Sequence, residues 1–246
     1  MEELLEKTIG EIVAEDYRTS RVFEKHNIDF CCKGNRSINE ACELKDVDRN
    51  VLIDELAAVR QGKPSKATDF NNWPLDELAD HIERVHHKYV EENLPILNQY
   101  LNKLCNVHGA RHPELFEIYD EFKLSSGELA THMKKEEFIL FPHIRKMVNA
   151  RLVNVSLKRP HFGTVQNPVQ MMMHEHSVEG GRFEKIGHLT SNYAAPSDAC
   201  NTYRVTYALL EEFEQDLHLH IHLENNILFP KAIEMEREFE MIDQTP

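Results

Sequence analysis

What most constrains this chain is a His-x-x-x-Glu pair that occurs twice in the same local frame. The first copy runs His132-Met-Lys-Lys-Glu136-Glu-Phe-Ile-Leu-Phe141-Pro142, and the second runs His220-Ile-His-Leu-Glu224-Asn-Asn-Ile-Leu-Phe229-Pro230. Histidine, glutamate and proline all recur at one offset of 88 residues: 220 against 132, 224 against 136, 230 against 142. Four residues advance an α-helix by about 400°, so each pair projects from one face, one turn apart. Two such pairs make half a metal site.

A single pair of this kind is more often a weak hydrogen bond on a solvated helix. A solvated pair gives no reason for the same apolar run and the same Phe-Pro to recur behind it. The runs Phe138-Ile139-Leu140-Phe141 and Ile227-Leu228-Phe229 place each pair beside a stripe expected to be buried. An unpartnered carboxylate there would be costly, and a bound cation removes the cost.

Composition narrows the function classes. The 246 residues carry 28 Lys and Arg against 42 Asp and Glu, a net charge of −14, which argues against nonspecific binding to nucleic acid or to an anionic membrane. No apolar run approaches the roughly 20 residues that span a bilayer, and the first residues lack the basic and apolar regions of a signal peptide. The five cysteines are too few and too unevenly placed for a disulfide framework. A cytoplasmic location is therefore expected.

Residues 1–62 are expected to form a small helical domain, with helical stretches through Ile9, Ile12 and Val13, through Val22 and Phe23, and through Val51, Leu52, Leu56 and Val59. Between them lie Cys31 and Cys32. Adjacent Cα atoms are about 3.8 Å apart, so a disulfide joining the pair would be strained and easily reduced. Such thiols suit redox or metal transfer; two buried, inert thiols fit the spacing equally well. Residues 63–73 are polar, with Gly and Pro, and read as a linker.

Residues 74–246 read as four long helices: Pro74 to about Asn106, Pro113 to about Val148, a third from about Pro168, and a fourth from about Asp198 to Phe239. An irregular connection is expected at 150–168 and a loop at Asn192–Ser197. In the first helix, the stripe Val90, Leu94, Leu97, Leu101 and Leu104 extends back to His87. The stripe Leu75, Leu78, Ile82, Val85 and Tyr89 admits His86, so periodicity does not choose between these neighbours. In the third helix His176 falls on the stripe of Val169, Met172, Met173, Gly180 and Phe183, and His174 does not. In the fourth, His220 is offset from Glu224 by about 40°, His222 by about 200° and His218 by about 240°, so only His220 shares the glutamate's face.

This count predicts an all-α, antiparallel four-helix bundle made of two hairpins. Each hairpin gives one histidine from its first helix and a His-x-x-x-Glu pair from its second; His176 and His87 lie 89 residues apart, close to the repeat offset. The candidate set is His87, His132, Glu136, His176, His220 and Glu224. Four imidazoles and two carboxylates are too many for one tetrahedral zinc and too rich in nitrogen for calcium or magnesium. Two transition ions fit, with iron ahead of manganese or zinc.

These residues, with Asp29-Phe30-Cys31-Cys32-Lys33-Gly34 and Glu-Asn-Asn-Ile-Leu-Phe-Pro, resemble the hemerythrin-like di-iron proteins for repair of iron centres, the RIC family, over nearly the whole chain. The resemblance implies a cytoplasmic stress-response protein that restores iron–sulfur clusters damaged by nitric oxide or oxidants. In that family the first ligand lies eight residues before the proline of a Leu-Pro pair, and Leu94-Pro95 points back to His87. The other ligands fall on His132, Glu136, His176, His220 and Glu224. Two iron ions per chain are implied, bridged by both glutamates and by an oxo or hydroxo group.

The partners implied are iron–sulfur client proteins, with nitric oxide or oxygen as ligands; a homodimer is admitted. Oxygen-carrying hemerythrins have a fifth histidine and usually an aspartate bridge, which this chain lacks. Iron leaving through Cys31 and Cys32 is the leading mechanism; reduction of nitric oxide or peroxide, and ligand sensing, are the rivals. The 150–168 connection is longer than the family suggests, and His161 within it is expected at the surface. Glu128 and Glu175 are open between orienting a ligand, lining an acidic path for iron, and a solvated acidic face.

Overall fold

A computed structural model describes residues 2–61 and 69–243, so residues 63–68 of the expected linker lie outside the described residues. Among the described residues there is no β-strand, only an isolated bridge between Thr8 and Ser37. The chain divides into two compact units. One gathers Met1–Leu78, Met147–Leu157 and Ile221–Pro246; the other gathers Ala79–Lys146 and Lys158–His220.

Among the described residues of the first unit, five short α-helices precede the long ones: α1 (Glu2–Leu5), α2 (Ile9–Glu15), α3 (Ser20–Lys25), α4 (Ile38–Lys45) and α5 (Arg49–Arg60). Two begin at reciprocal caps. Thr8 accepts from the Glu11 amide while Glu11 accepts from the Thr8 amide, and Ser37 and Glu40 do the same at α4. Ile9, Ile12, Val13, Phe23, Ile38, Leu52 and Leu56 are fully buried, which is the core that such short helices require. Helix α4 was not among the helices read from apolar spacing; its signal is the Ser37-x-x-Glu40 box. Phe70 of the expected linker is buried with its ring 5.1 Å from that of Trp73.

The long helices are α6 (Leu75–His81) running through a π-helical turn at Ile82–His87 into α7 (Lys88–His108); α8 (Glu114–Lys135) through a π turn at Glu136–Leu140 into α9 (Phe141–Leu152); α10 (Gln166–Leu189); and α11 (Asn201–Leu223) through a π turn at Glu224–Leu228 into α12 (Phe229–Asp243). Continuous α-helix was expected where three π turns occur.

In the second unit α7, α8, α10 and α11 form an antiparallel bundle. Partners of α7 on α8 run backwards along the chain: Glu91 pairs with Lys134, Asn98 with Ser126, and Cys105 with the Leu115 carbonyl. Between α8 and α10, Ser125 meets Glu179 and Glu117 meets Lys185. Phe122, Phe183 and Phe213, from α8, α10 and α11, are fully buried in one layer, with Phe213 5.7 Å from each of the other two. Each such side chain contributes roughly 1.5–3 kcal/mol by leaving water. No helix of the described residues is long and apolar enough to cross a membrane.

Candidate metal centre

The π turns explain where the donors point. A π turn accommodates an extra residue, so a 3.6-residue stripe changes phase as it passes through. In the first long helix the buried set Leu75, Leu78 and Ile82 gives way to His86, His87, Val90 and Leu94, and Val85 is left exposed. Both histidines face inward, which neither stripe read alone allowed. The turn at Glu136–Leu140 acts likewise: Glu136, Leu140 and Phe141 are buried, while Phe138 and Ile139, expected in the buried stripe, are 74% and 39% exposed. The second copy keeps Ile227, Leu228 and Phe229 buried as expected. On α10 the buried stripe is Val169, Met172, His176, Glu179 and Phe183; Met173 is exposed, and so is His174.

All six predicted donors are buried, Glu136 and Glu224 completely. They fall into two groups, each with ligand atoms within 4.8 Å of one another: His87, Glu136, His220 and Glu224, and His132, Glu136, His176 and Glu224. Glu224 follows His220 by one turn on an unbroken helix, as Glu136 follows His132. The Nε2 atoms of His87 and His132 each lie 3.3 Å from Oε2 of Glu136, and the Nε2 atoms of His132 and His176 are 3.0 Å apart. The His87 and His220 ring centroids are 4.9 Å apart.

Neighbouring carboxylates orient two of the rings. His132 Nδ1 donates to Glu175 Oε2 at 2.8 Å, and His87 Nδ1 donates to Glu137 Oε1 at 3.0 Å. A carboxylate only accepts, so Nδ1 carries the proton and a neutral ring turns its Nε2 lone pair inward. The His132 hydrogen bond, joined by Lys135, holds the Glu175 carboxyl down at about 2. Glu137 also accepts from Lys134 Nζ at 2.6 Å.

The donor set fits a pair of first-row transition ions. Inward lone pairs facing a carboxylate at 3.3 Å repel one another unless a cation lies among them. Two ligands each about 2.1 Å from one ion, at roughly 90–110°, lie about 3.0–3.4 Å apart, the spacing of the nitrogens and oxygens here. Each group holds two imidazoles and both carboxylates, a mixture suited to iron, manganese or zinc.

His86 lies outside both groups. Its Nδ1 is 2.9 Å from Asp216, and its ring stacks on His220 with centroids 5.6 Å apart. His161 is exposed, with its ring edge against Phe162. Of the two open acidic residues, Glu175 is the carboxylate on His132, and Glu128 pairs with Arg182 at 2.8 Å, 55% exposed. Glu137 and Asp216 were missed as orienting groups. Each meets a histidine far away in sequence, so only the bundle register reveals them.

The sulfurs of Cys31 and Cys32 are 3.7 Å apart, too far for a disulfide, with Cys31 buried and Cys32 half-buried. Asp29 Oδ1 accepts from both cysteine amides, at 3.1 and 2.9 Å, and from the Cys31 thiol at 3.4 Å, so these three residues form a third small cluster. The hydrogen bond with Cys32, burial and Asp29 push the Cys31 thiol well up. Asn225 and Asn226, immediately after Glu224, donate to the Cys31 carbonyl at 3.2 and 3.4 Å, and Asn226 also donates to the Phe30 carbonyl at 3.2 Å.

His222 supports the same loop. It is buried, with its ring against Phe30 and Tyr17, and its Nδ1 is 3.0 Å from the Asn226 amide nitrogen. Burial pushes its pKa down to about 3. His222 lies off the glutamate's face, about 200° from Glu224, and so stands outside the metal set expected from sequence. The run Ile221-His222-Leu223 is buried at every position and therefore packed on more than one side, which no single helical stripe encodes.

The chain is similar to known proteins over nearly its whole length. Residues 78–232 match the hemerythrin HHE cation-binding domain, and residues 5–60 match ScdA_N, a domain of unknown function. The iron-sulfur cluster repair protein ScdA of Staphylococcus haemolyticus is 33% identical over 228 residues, covering 92% of this chain and 97% of that protein. The iron-sulfur cluster repair proteins YtfE of Musicola paradisiaca and Yersinia pestis are 34% and 32% identical, each covering 94% of this chain and 98% of the relative. With both domains matched in order and nearly the full length aligned, the chain belongs to the hemerythrin HHE cation-binding family, as one of its metal-binding ScdA/YtfE-type members.

Proposed function

We propose that this chain holds two iron ions and repairs iron–sulfur clusters damaged by nitric oxide or oxidants, by supplying iron to client proteins. The observation that carries the reading is the pair of buried His-and-Glu groups that share both glutamates, taken with relatives named as iron-sulfur cluster repair proteins. In this reading His87 and His220 hold one ion, His132 and His176 hold the other, and Glu136 and Glu224 belong to both. Iron supplies a ferrous–ferric couple and, as cargo, the ion a damaged cluster lacks.

The chain's own groups do the rest. Glu175 and Glu137 keep the lone pairs of His132 and His87 turned inward, and burial excludes bulk water from both glutamates. Cys31 and Cys32 are assigned as thiols that receive departing iron, because a cysteine sulfur that gives up its proton on binding a metal is a soft donor and Asp29 adds a carboxylate beside them. Five cysteines with no disulfide among them suit a reducing cytoplasm.

The test is metal analysis and an optical spectrum of protein purified under reducing conditions, followed by incubation with an iron–sulfur enzyme inactivated by nitric oxide. About two irons per chain, loss of iron in Glu136→Ala and recovery of the client's activity are expected. Protein without iron, or recovery no better than with ferrous salt alone, overturns the reading. Transfer that proceeds equally well with both cysteines changed to serine removes the thiol route and leaves the metal centre standing.

A further inference from the structure

His108 is the last residue of α7 and Cys200 the residue just before α11. His87 and His108 are separated by about 30 Å of helix, as are His220 and Cys200, so this pair stands apart from the metal centre. Cys200 Sγ lies 3.3 Å from Nε2 of His108. The Cys200 carbonyl accepts from the Arg204 amide at 3.1 Å, which makes Cys200 the N-terminal cap of a helix of 23 residues. Helix ends favour negative charge at the N-terminus and positive charge at the C-terminus. Both helices therefore favour moving the thiol proton from sulfur to ring.

The imidazole is held in place. His108 is 95% buried (5% exposed), with the ring of Tyr203 edge-on at 5.4 Å and that of His112 at 6.5 Å. His112 is itself fixed between Glu114 at 3.1 Å and Asp198 at 3.0 Å, and Arg111 pairs with Asp198 at 3.2 Å. Cys200, by contrast, is exposed. Cys31, Cys42 and Cys105 are buried and Cys32 is half-buried, so Cys200 alone joins an open sulfur to a fixed base.

We propose that Cys200 is a modification site that undergoes thiol–disulfide exchange with small disulfides, with His108 as its base. The Cys200 proton passes to His108 Nε2 as Sγ attacks one sulfur of the disulfide. The new S–S bond forms as the old one breaks, and the leaving sulfur takes the electron pair and then a proton from the imidazolium. Cys200 ends oxidised as a mixed disulfide, the small disulfide is reduced to one thiol and the sulfur now bound, and excess small thiol reverses the step.

The test uses the full chain with oxidised glutathione as the probe, and peptide mapping by mass spectrometry to find the modified sulfur. The first mixed disulfide is expected at Cys200 and absent in Cys200→Ser. A free thiol is only a few per cent ionised near pH 7, so Cys200 in the folded protein should react on the order of fivefold faster than in the denatured chain. His108→Gln should abolish that excess while leaving Cys200 open to labelling. First modification at Cys32, a folded rate no higher than the denatured one, or an unchanged rate in a folded His108→Gln protein would each overturn the proposal. Should His108→Gln fail to fold, the ratio of folded to denatured rates in the unaltered chain still decides.

Discussion

Glu175 reaches from α10 to His132 on α8, its Oε2 accepting a hydrogen bond from His132 Nδ1 at 2.8 Å, and so aims His132 Nε2 at Glu136 and His176. Removing an acceptor behind a metal-bound histidine typically weakens the site about 10–100-fold. Glu175→Ala should therefore lower metal affinity by that factor in competition with a chelator. The thermal midpoint of the metal-free protein should stay close to that of wild type, because Glu175 is only half-buried. Equal retention of metal by both proteins would show that bundle packing alone orients the ring.

Glu136 gives opposite signs with and without metal. It is completely buried, and a buried carboxylate near other donors is stabilised by a cation and destabilising without one. Glu136→Gln keeps the shape and removes the charge. The variant should bind less metal, yet its metal-free form should melt no lower than metal-free wild type. Conversely, chelation should lower the melting point of wild type more than that of the variant, since a ligand bound only to the native state stabilises it by mass action. Calorimetry of both proteins with and without chelator reads all four values.

The centre was legible in sequence to the extent that its chemistry is local. The His132–Glu136 and His220–Glu224 pairs could be read because a helical turn ties them together, and His176 because one stripe runs through α10. His86 and His87 could not be separated, because the π turn at Ile82–His87 changes the helical phase and buries both. The same effect at Glu136–Leu140 turned Phe138 outward. Partnerships such as Glu137 with His87 depend on how helices register in three dimensions, which no single stripe encodes.

Gly10 and Gly34 leave room for Asn226. A Cβ at Gly10 would stand 2.4 Å from Asn226 Oδ1, and one at Gly34 would stand 2.4 Å from the Phe30 carbonyl and 2.8 Å from Asn226 Oδ1. The Asn226 side chain can shift, whereas the backbone at Phe30 cannot without moving the cysteine loop. Gly34→Ala should thus cost more than Gly10→Ala, within the roughly 1–3 kcal/mol typical of overpacking. Both should loosen the Asn226 hydrogen bonds to Phe30 and Cys31. Urea unfolding ranks the two, and the rate of Cys31 alkylation should rise in the same order.

His143, on α9, supplies a pH dependence whose sign follows from its surroundings. It is 7% exposed, with Phe162 edge-on at 5.1 Å, and burial pushes its pKa below the ordinary 6.5, with Lys146 and His161 adding repulsion. As pH falls through about 6.5, the unfolded chain takes up this proton before the folded protein does. Stability contributed by the neutral ring is therefore present above that pH and declines below it, until the folded pKa is also passed. Replacing His143 with Leu keeps an apolar group against Phe162 and removes the titration. The melting temperature of His143→Leu should fall less steeply than that of wild type on acidification from pH 7 to 5, with the two curves closest in slope above pH 7. Parallel curves across the whole range would mean that the ring at 143 takes up its proton equally readily in both states.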